Sequence, residues 1–397
     1  MNKSISEFFS LEVISSLILS LLWPTLGLLY VVILVIRRKK SSRTIILSLM
    51  LVLSLFLSYI NSTKTATSDT IYYLEWFTNI DRLHPIQSFL SYGEGNFLYE
   101  PLFAIISITM NYLTLGSEVG YLFLCSFLIY FLQFYALYVV ADYYKISSSI
   151  ILVLIAMLAF LNPLFIQTIH AIRQMIAASF LMMAVAKRIV SKRSCWVYIM
   201  MAIFTHLSTI VFIPIFVLPQ SYKRISAFSV LLVSALVFLG LGVYDSFGNL
   251  LSSMSSEEIS QVGNKILDSA EHNEMKLSLK GFYLYCIPFA LLAAYSAFSN
   301  NGAYPKISIY YYLFFITFCI VVLNPISTGV SIRYSFYVYS FLPYTAMVYC
   351  LTNRRTAPMI LPILSIMIVA IFFILLSRDN SYADILTILF KPLPLFI

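Results

Sequence analysis

Runs of apolar residues recur along nearly the whole sequence, punctuated by short polar or basic stretches. Runs of about 18 residues or more, wound as helices, cover the roughly 30 Å hydrocarbon core of a bilayer. The pattern therefore predicts an all-α polytopic integral membrane protein, and the alternation of an outer-membrane barrel is absent from it. Full spans are predicted near 11–36, 43–60, 120–141, 149–167, 174–190, 225–243, 281–299, 306–323, 335–351 and 358–377, ten in all. Two further apolar segments, 98–116 and 196–219, would raise the count to twelve on hydropathy alone. The first run has no basic n-region and no small-residue cleavage site, and it stops at "RRKK". It reads as a retained span rather than a signal peptide.

Charge changes the count. The clusters "RRKKSSR" (37–43), "KRIVSKR" (187–193), "YKR" (222–224) and "NRR" (353–355) all belong on the cytoplasmic side. That is satisfied only if 98–116 lies along the outer face as an interfacial helix and 196–219 is a re-entrant helical hairpin turning near "THLS". Under this topology most of the 25 Lys and Arg are cytoplasmic, and of the 17 Asp and Glu only Asp142 is. Both termini and two loops, 61–97 and 244–280, are then extracytoplasmic. Re-entrant backbone is tolerated in a bilayer only where protein buries it or a wet cavity runs beside it. A cavity open to the outer face follows.

Composition supports one transmembrane domain over residues 1–397. The chain is 60% hydrophobic and 11% charged, against roughly 25% charged in soluble domains. The net charge of +8 sits at helix ends, not in a stripe, which argues against nucleic acid as a partner. Five cysteines lie in or beside apolar runs without CxxC spacing and read as small buried hydrophobes. There is no phosphate-cradling Gly-rich loop, HExxH, GxSxG or histidine pair at metal spacing. No cofactor or metal need be invoked, although Asp69 and Glu100 could hold a metal. No internal repeat at a fixed period supports an inverted-repeat transporter. The cytoplasmic loops are too short to fold a nucleotide-sugar domain, so a glycosyl donor would have to come from the membrane itself.

The candidate chemistry lies at the outer ends of the spans. In "HAIRQMIAASFLMMAVAKRIVSKR", Arg173 opens an apolar helix with no acidic neighbour in sequence. About 28 Å of helix separates it from Lys192, which sets it at the outer edge of the hydrocarbon. It could merely snorkel to the headgroups. With Gln174 at a positive helix N-terminus, however, it suits a phosphate. Arg333, in "NPISTGVSIRYSFYVYSF", repeats the arrangement after an NP break, and two such arginines could grip one pyrophosphate. His206 is expected at the hairpin apex, where it could take a hydroxyl proton or simply be hydrogen-bonded packing. Asp69 opens "SDTIYYLEWF" and Glu100 opens "EPLFAII"; either could be a base or a helix-terminal charge. Tyr72, Tyr73, Trp76 and Tyr334 offer aromatic surface for a sugar.

Taken together, "SDTIYYLEWF", "EPLFAIISITMNYLTLG", "HAIRQMIAASFLMMAVAKR", "FTHLSTIVFIPIF" and "SIRYSFY", in that order over about residues 60 to 345, resemble the EpsG family of Wzy-type exopolysaccharide and O-antigen polymerases. The resemblance implies polymerisation of undecaprenyl-pyrophosphate-linked repeat units at the outer face of the bacterial cytoplasmic (inner) membrane. It puts functional weight on Asp69, Tyr73, Glu100, Arg173, Gln174, His206 and Arg333. The order of acidic loop, "EP" helix, arginine and hairpin also looks like polyprenyl-phosphate-dependent GT-C glycosyltransferases, without their large C-terminal soluble domain. Three functions stay open at this stage: a polymerase, a GT-C transferase adding one sugar from a polyprenyl monophosphate, and a flippase for the lipid-linked unit. Expected partners are the lipid-linked glycan and the bilayer, and a chain-length regulator is to be looked for at the 244–280 loop.

Overall fold

The computed structural model describes residues 11–37, 43–66, 69–93, 100–191, 195–217, 279–299, 309–323, 328–379 and Tyr382. The expected span at 225–243 and nearly all of the 244–280 loop lie outside them. Among the described residues the chain is helical and contains no strand. It packs as two compact units, Met1–Val211 with Pro358–Ile397, and Phe212–Ala357.

In the first unit, α1 (Leu11–Leu22) and α2 (Pro24–Arg37) replace the single span expected over 11–36. At about 18 and 21 Å each is too short to cross the core alone. Pro24 supplies no amide to continue the first helix, and the chain folds back there. The two helices pack on each other and on α3 (Arg43–Ser62). Their contact face is built from small residues: Ser16 and Ser20 are fully buried, and a Cβ on Gly27 would meet the Ser20 backbone at 2.8 Å. Close backbone approach over small residues is how helices associate in lipid.

Helix α3 is the hub of this unit and is buried along most of its length. Next in order come α4 (Asp69–Thr78), α5 (Pro85–Gly93), α6 (Pro101–Thr114), α7 (Glu118–Tyr143), α8 (Ser148–Ala159), α9 (Asn162–His170), α10 (Ile172–Val190) and α11 (Cys195–Thr205). Helices α3, α7 and α16 (Ala357–Leu376) are each long and apolar enough to cross a membrane. The expected span at 149–167 is broken: α8 and α9 meet at an angle of 51°, with Pro163 at the start of the second piece. Together they would count as a fourth, bent span.

The two segments that hydropathy could not place are both short helices. α6 has 14 residues, about 21 Å, and ends in a reversal where Leu115 and Gly116 take positive φ. Ser117 then caps α7 by accepting from the Gly120 amide at 3.2 Å. α11 stops after 11 residues, about 16 Å, and packs along α10. His206 stands at this break, its amide still bonded to Ala202 O at 2.9 Å and its carbonyl accepting from Thr209. A 3-10 turn follows at Leu207–Phe212.

The second unit holds α12 (Ile213–Val217), α13 (Leu279–Ser299), α14 (Ile309–Leu323) and α15 (Thr328–Thr352). α15 packs against both α13 and α14 through an aromatic core, with Tyr310 and Tyr344 stacked at 4.8 Å and Phe212 edge-on to Tyr337 at 5.1 Å.

Candidate active site

The site in the first unit forms around a break in the backbone. α9 ends at His170, Ala171 leaves helical geometry at φ −124 and ψ 50, and α10 begins at Ile172. Arg173 is thus the second residue of a new helix, as its place in the sequence suggested. Thr70 on α4 donates to the Ile169 carbonyl at 3.0 Å and so ties α4 to the end of α9. Asn111 on α6 donates to the Phe77 carbonyl at 2.8 Å and fixes α6 against α4. Phe77 in turn stacks on Tyr121 at 4.1 Å, anchoring the assembly to α7.

Glu100 is the centre of this arrangement. It immediately precedes α6, where Pro101 occupies the first turn, and it is 5% exposed. One carboxylate oxygen accepts from Arg173 Nη1 at 2.6 Å. The other accepts from His206 Nδ1. Burial alone would raise its pKa, but the Arg173 and His206 charges and hydrogen bonds overcome that and hold it down at about 2. Arg173 is therefore neutralised after all, by an acid 73 residues upstream. The anion that the local sequence around Arg173 lacks is thus supplied from across the fold.

Aromatic rings wall the ion pair. Arg173 Nε donates to the Tyr73 hydroxyl at 3.2 Å, and the guanidinium lies 5.2 Å from the Tyr73 ring centroid. Tyr73 meets Phe103 edge-on at 5.7 Å, and Trp76 packs on Tyr92 at 4.5 Å. With its Nδ1–H committed to Glu100, His206 must keep Nε2 as an acceptor when neutral. That Nε2 is buried and has no hydrogen-bond partner among the described residues. A buried ring nitrogen without a partner costs free energy, so Nε2 is the unsatisfied atom of the cluster.

The sequence model of the EpsG family matches residues 46–390, most of the chain. The chain belongs to the EpsG family. Membership in a family that includes Wzy-type polymerases points to a polymerase-like role in polysaccharide synthesis, and with the apolar helices it makes this EpsG protein an integral membrane protein. Searches among curated proteins and among solved structures returned no match.

The remaining sequence candidates of this EpsG protein divide between members of the cluster and residues elsewhere in the chain. Tyr73 and Trp76 belong to it or to its wall. Gln174 is buried beside Arg173. Tyr72 points away and is 71% exposed, because it follows a different face of α4 from Tyr73. Asp69 is exposed at the start of α4, and among the described residues no hydrogen bond or ion pair joins it to Glu100, Arg173 or His206. Arg333 and Tyr334 lie in the second unit. α15 begins at Thr328, so Arg333 is inside its second turn and not at the helix start that the NP break suggested. Tyr334 is buried, with its ring 6.0 Å from that of Tyr337. Among the described residues no three His, Cys, Asp or Glu side chains gather as a metal site. Tyr92 was not singled out in the sequence. Its place beside Trp76 comes from α5, a helix with no local charge or motif to mark it.

Proposed function

We propose that this protein joins lipid-linked oligosaccharide repeat units at the outer face of the cytoplasmic membrane, moving a growing glycan from one undecaprenyl pyrophosphate onto the sugar end of a second unit. The observation that carries the reading is the Glu100 carboxylate shared between Arg173 and His206. Glu100 positions the imidazole through Nδ1 and stabilises the imidazolium that forms, the role an orienting carboxylate plays beside a general-base histidine. His206 Nε2 takes the proton of the acceptor hydroxyl as its oxygen attacks the donor's anomeric carbon. The bond from that carbon to the pyrophosphate oxygen breaks, and the electron pair leaves with the pyrophosphate. Arg173 uses the guanidinium N–H groups not bound to Glu100 and Tyr73 to offset the charge gathering on the departing phosphate. Tyr73 and Trp76 shape the sugar side. Of the three bases left open by the sequence, Glu100 has both oxygens spent and Asp69 stands exposed outside the cluster, whereas His206 keeps Nε2 unspent within it.

The test is the length of surface glycan on gels from a deletion strain complemented with wild type, His206→Asn or Glu100→Gln. Single unpolymerised units on the surface of both variants support the reading. Loss of every surface unit would instead indicate a flippase, and an unchanged ladder from His206→Asn would remove the histidine from the chemistry.

A further inference from the structure

A cavity of about 330 Å³ opens in the first unit between the start of α9 and the end of α16, and no member of the Glu100 cluster lines it. Asn162 and Ile166, one turn apart, form the α9 side; Leu375, Arg378 and Tyr382 stand on the other. The start of α9 has no cap. Leu161 occupies the capping position without a side-chain hydrogen bond, and Pro163 brings no amide. First-turn amides have no partner inside a helix, and those of Asn162 and Leu164 gain none among the described residues. The Asn162 carboxamide lines the cavity, is 7% exposed and makes no hydrogen bond among the described residues. A buried carboxamide left in this way costs free energy unless a ligand completes it.

The charge balance selects the ligand. Behind Tyr382 lies Lys64, 6% exposed, its Nζ 5.0 Å from the Tyr382 ring centroid and 2.7 Å from His170 Nε2. Asp379, on the cavity wall, acts electrostatically on that ammonium, so these two charges offset each other. Arg378 is left over, exposed and with no ion pair among the described residues. The positive end of the α9 dipole adds to it. The surplus is positive, and a guanidinium beside an uncapped helix start is a phosphate-binding arrangement. Depth narrows the source of that phosphate. α16 has 20 residues, about 30 Å, so its last turn reaches the headgroups of a bilayer. Ile363, Met367 and Ile374 form an exposed apolar stripe along it that leads to Leu375 on the cavity wall.

We propose that this cavity is a headgroup site for an anionic phospholipid, its phosphodiester held by Arg378, Asn162 and the start of α9 and its acyl chains laid along the exposed stripe of α16. A zwitterionic headgroup brings an ammonium that the surplus positive charge disfavours. The bound lipid ties the end of α16 to the start of α9, the helix that closes at His170, three residues before Arg173. It is thus a brace for the broken segment and takes no part in the coupling step.

The experiment is native mass spectrometry of the full-length protein in detergent, with dioleoyl-phosphatidylglycerol, dioleoyl-phosphatidylcholine and inorganic phosphate titrated separately. Wild type should keep one phosphatidylglycerol at concentrations where phosphatidylcholine is lost. Arg378→Ala should weaken that adduct about tenfold, as expected when a hydrogen bond to a charged group is removed. Arg355→Ala, an exposed arginine before α16, should leave it unchanged. Arg378 is exposed, so Arg378→Ala should melt like wild type without lipid. It should lose the rise in melting temperature that phosphatidylglycerol gives the wild type. Equal retention of the two lipids, or an equal loss in Arg355→Ala, marks adsorption to any basic surface and overturns the site, as does an adduct undiminished in Arg378→Ala. Inorganic phosphate that raises the wild-type melting temperature as far as phosphatidylglycerol does, at matched concentration, makes a free anion the ligand and overturns the lipid assignment.

Discussion

Replacing Glu100 with Gln changes one charge at nearly constant volume, and its cost can be worked from the site. Ionised Glu100 is held at about 2 by Arg173 and His206 in spite of its burial. A carboxylate whose folded pKa is depressed contributes stability that is fully present above its unfolded value near 4.5 and is lost as pH falls through about 2. At neutral pH that is on the order of 3 kcal/mol. Stranding the partner charge of a buried pair costs roughly 3–5 kcal/mol. The Arg173 side chain is 23% exposed and keeps Tyr73, which favours the lower end of that range. Melting of the purified protein should therefore show a clear drop for Glu100→Gln at pH 7. The gap from wild type should close as both are taken from pH 4.5 towards pH 2. The loss of polymer should be larger than the loss of fold. An amide can bind His206 as donor or acceptor and no longer enforces the tautomer with Nε2 free, and orienting carboxylates of this kind are worth about 10⁴ in rate. In membranes from the complemented strain, polymer formed per folded protein, scored by gel, should fall at least about a hundredfold, the lower bound for losing a positioned base. A variant with wild-type melting at pH 7 and a wild-type ladder would refute the shared carboxylate as the organising group.

Other outcomes follow from the same geometry. Arg173→Lys keeps the charge but loses the planar fork that bridges Tyr73 and Glu100, so it should express at wild-type levels and give single units in place of polymer. Separate Arg173→Ala and Arg333→Ala variants, both expressed and both inactive, would favour a pyrophosphate donor over a monophosphate; activity in Arg333→Ala would favour the latter. Burial lowers the Lys64 pKa from 10.5 to about 8, partly offset by Asp379. Between these values the unfolded chain binds the extra proton, so wild-type melting temperature should rise from pH 8 to 10.5 and Lys64→Met should flatten that rise. Gly27→Leu should cost about 1–3 kcal/mol in melting, because the side chain meets the Ser20 backbone where α1 folds onto α2. A cysteine at Ser191 should resist an impermeant thiol reagent in intact spheroplasts, and labelling from outside would overturn the topology drawn from the basic clusters.

What the sequence could and could not disclose divides along the range of its physics. Hydropathy and charge asymmetry are summed over local windows, and they located the long apolar helices among the described residues, the short α6 and α11, and the position of Arg173 at a helix start. Hydropathy missed the turn at Pro24 and ran the 149–167 span straight through Asn162–Pro163, because an apolar run reads alike whether it crosses a membrane once or doubles back; the NP pair before Arg173 was the sign of the break there. The local windows also missed the counterion. Glu100 before a proline and Arg173 after a helix break each have a sufficient local explanation, one as a helix-terminal acid and the other as a snorkelling cation. Nothing within a helical turn of either names the other; only the packing of α6 on α11, and of α11 on α10, joins them. A charge balance could have found the pair. An interfacial arginine in an apolar chain calls for an anion, and Glu100, which opens an uncharged run over Pro101 to Ile106, is one of the outer acids that could supply it. Asp69 satisfied the same motif logic, yet it lies exposed on a helix whose buried face carries Thr70, Tyr73 and Phe77. The difference between the two acids is therefore one of helix face, and face is settled by what packs against it.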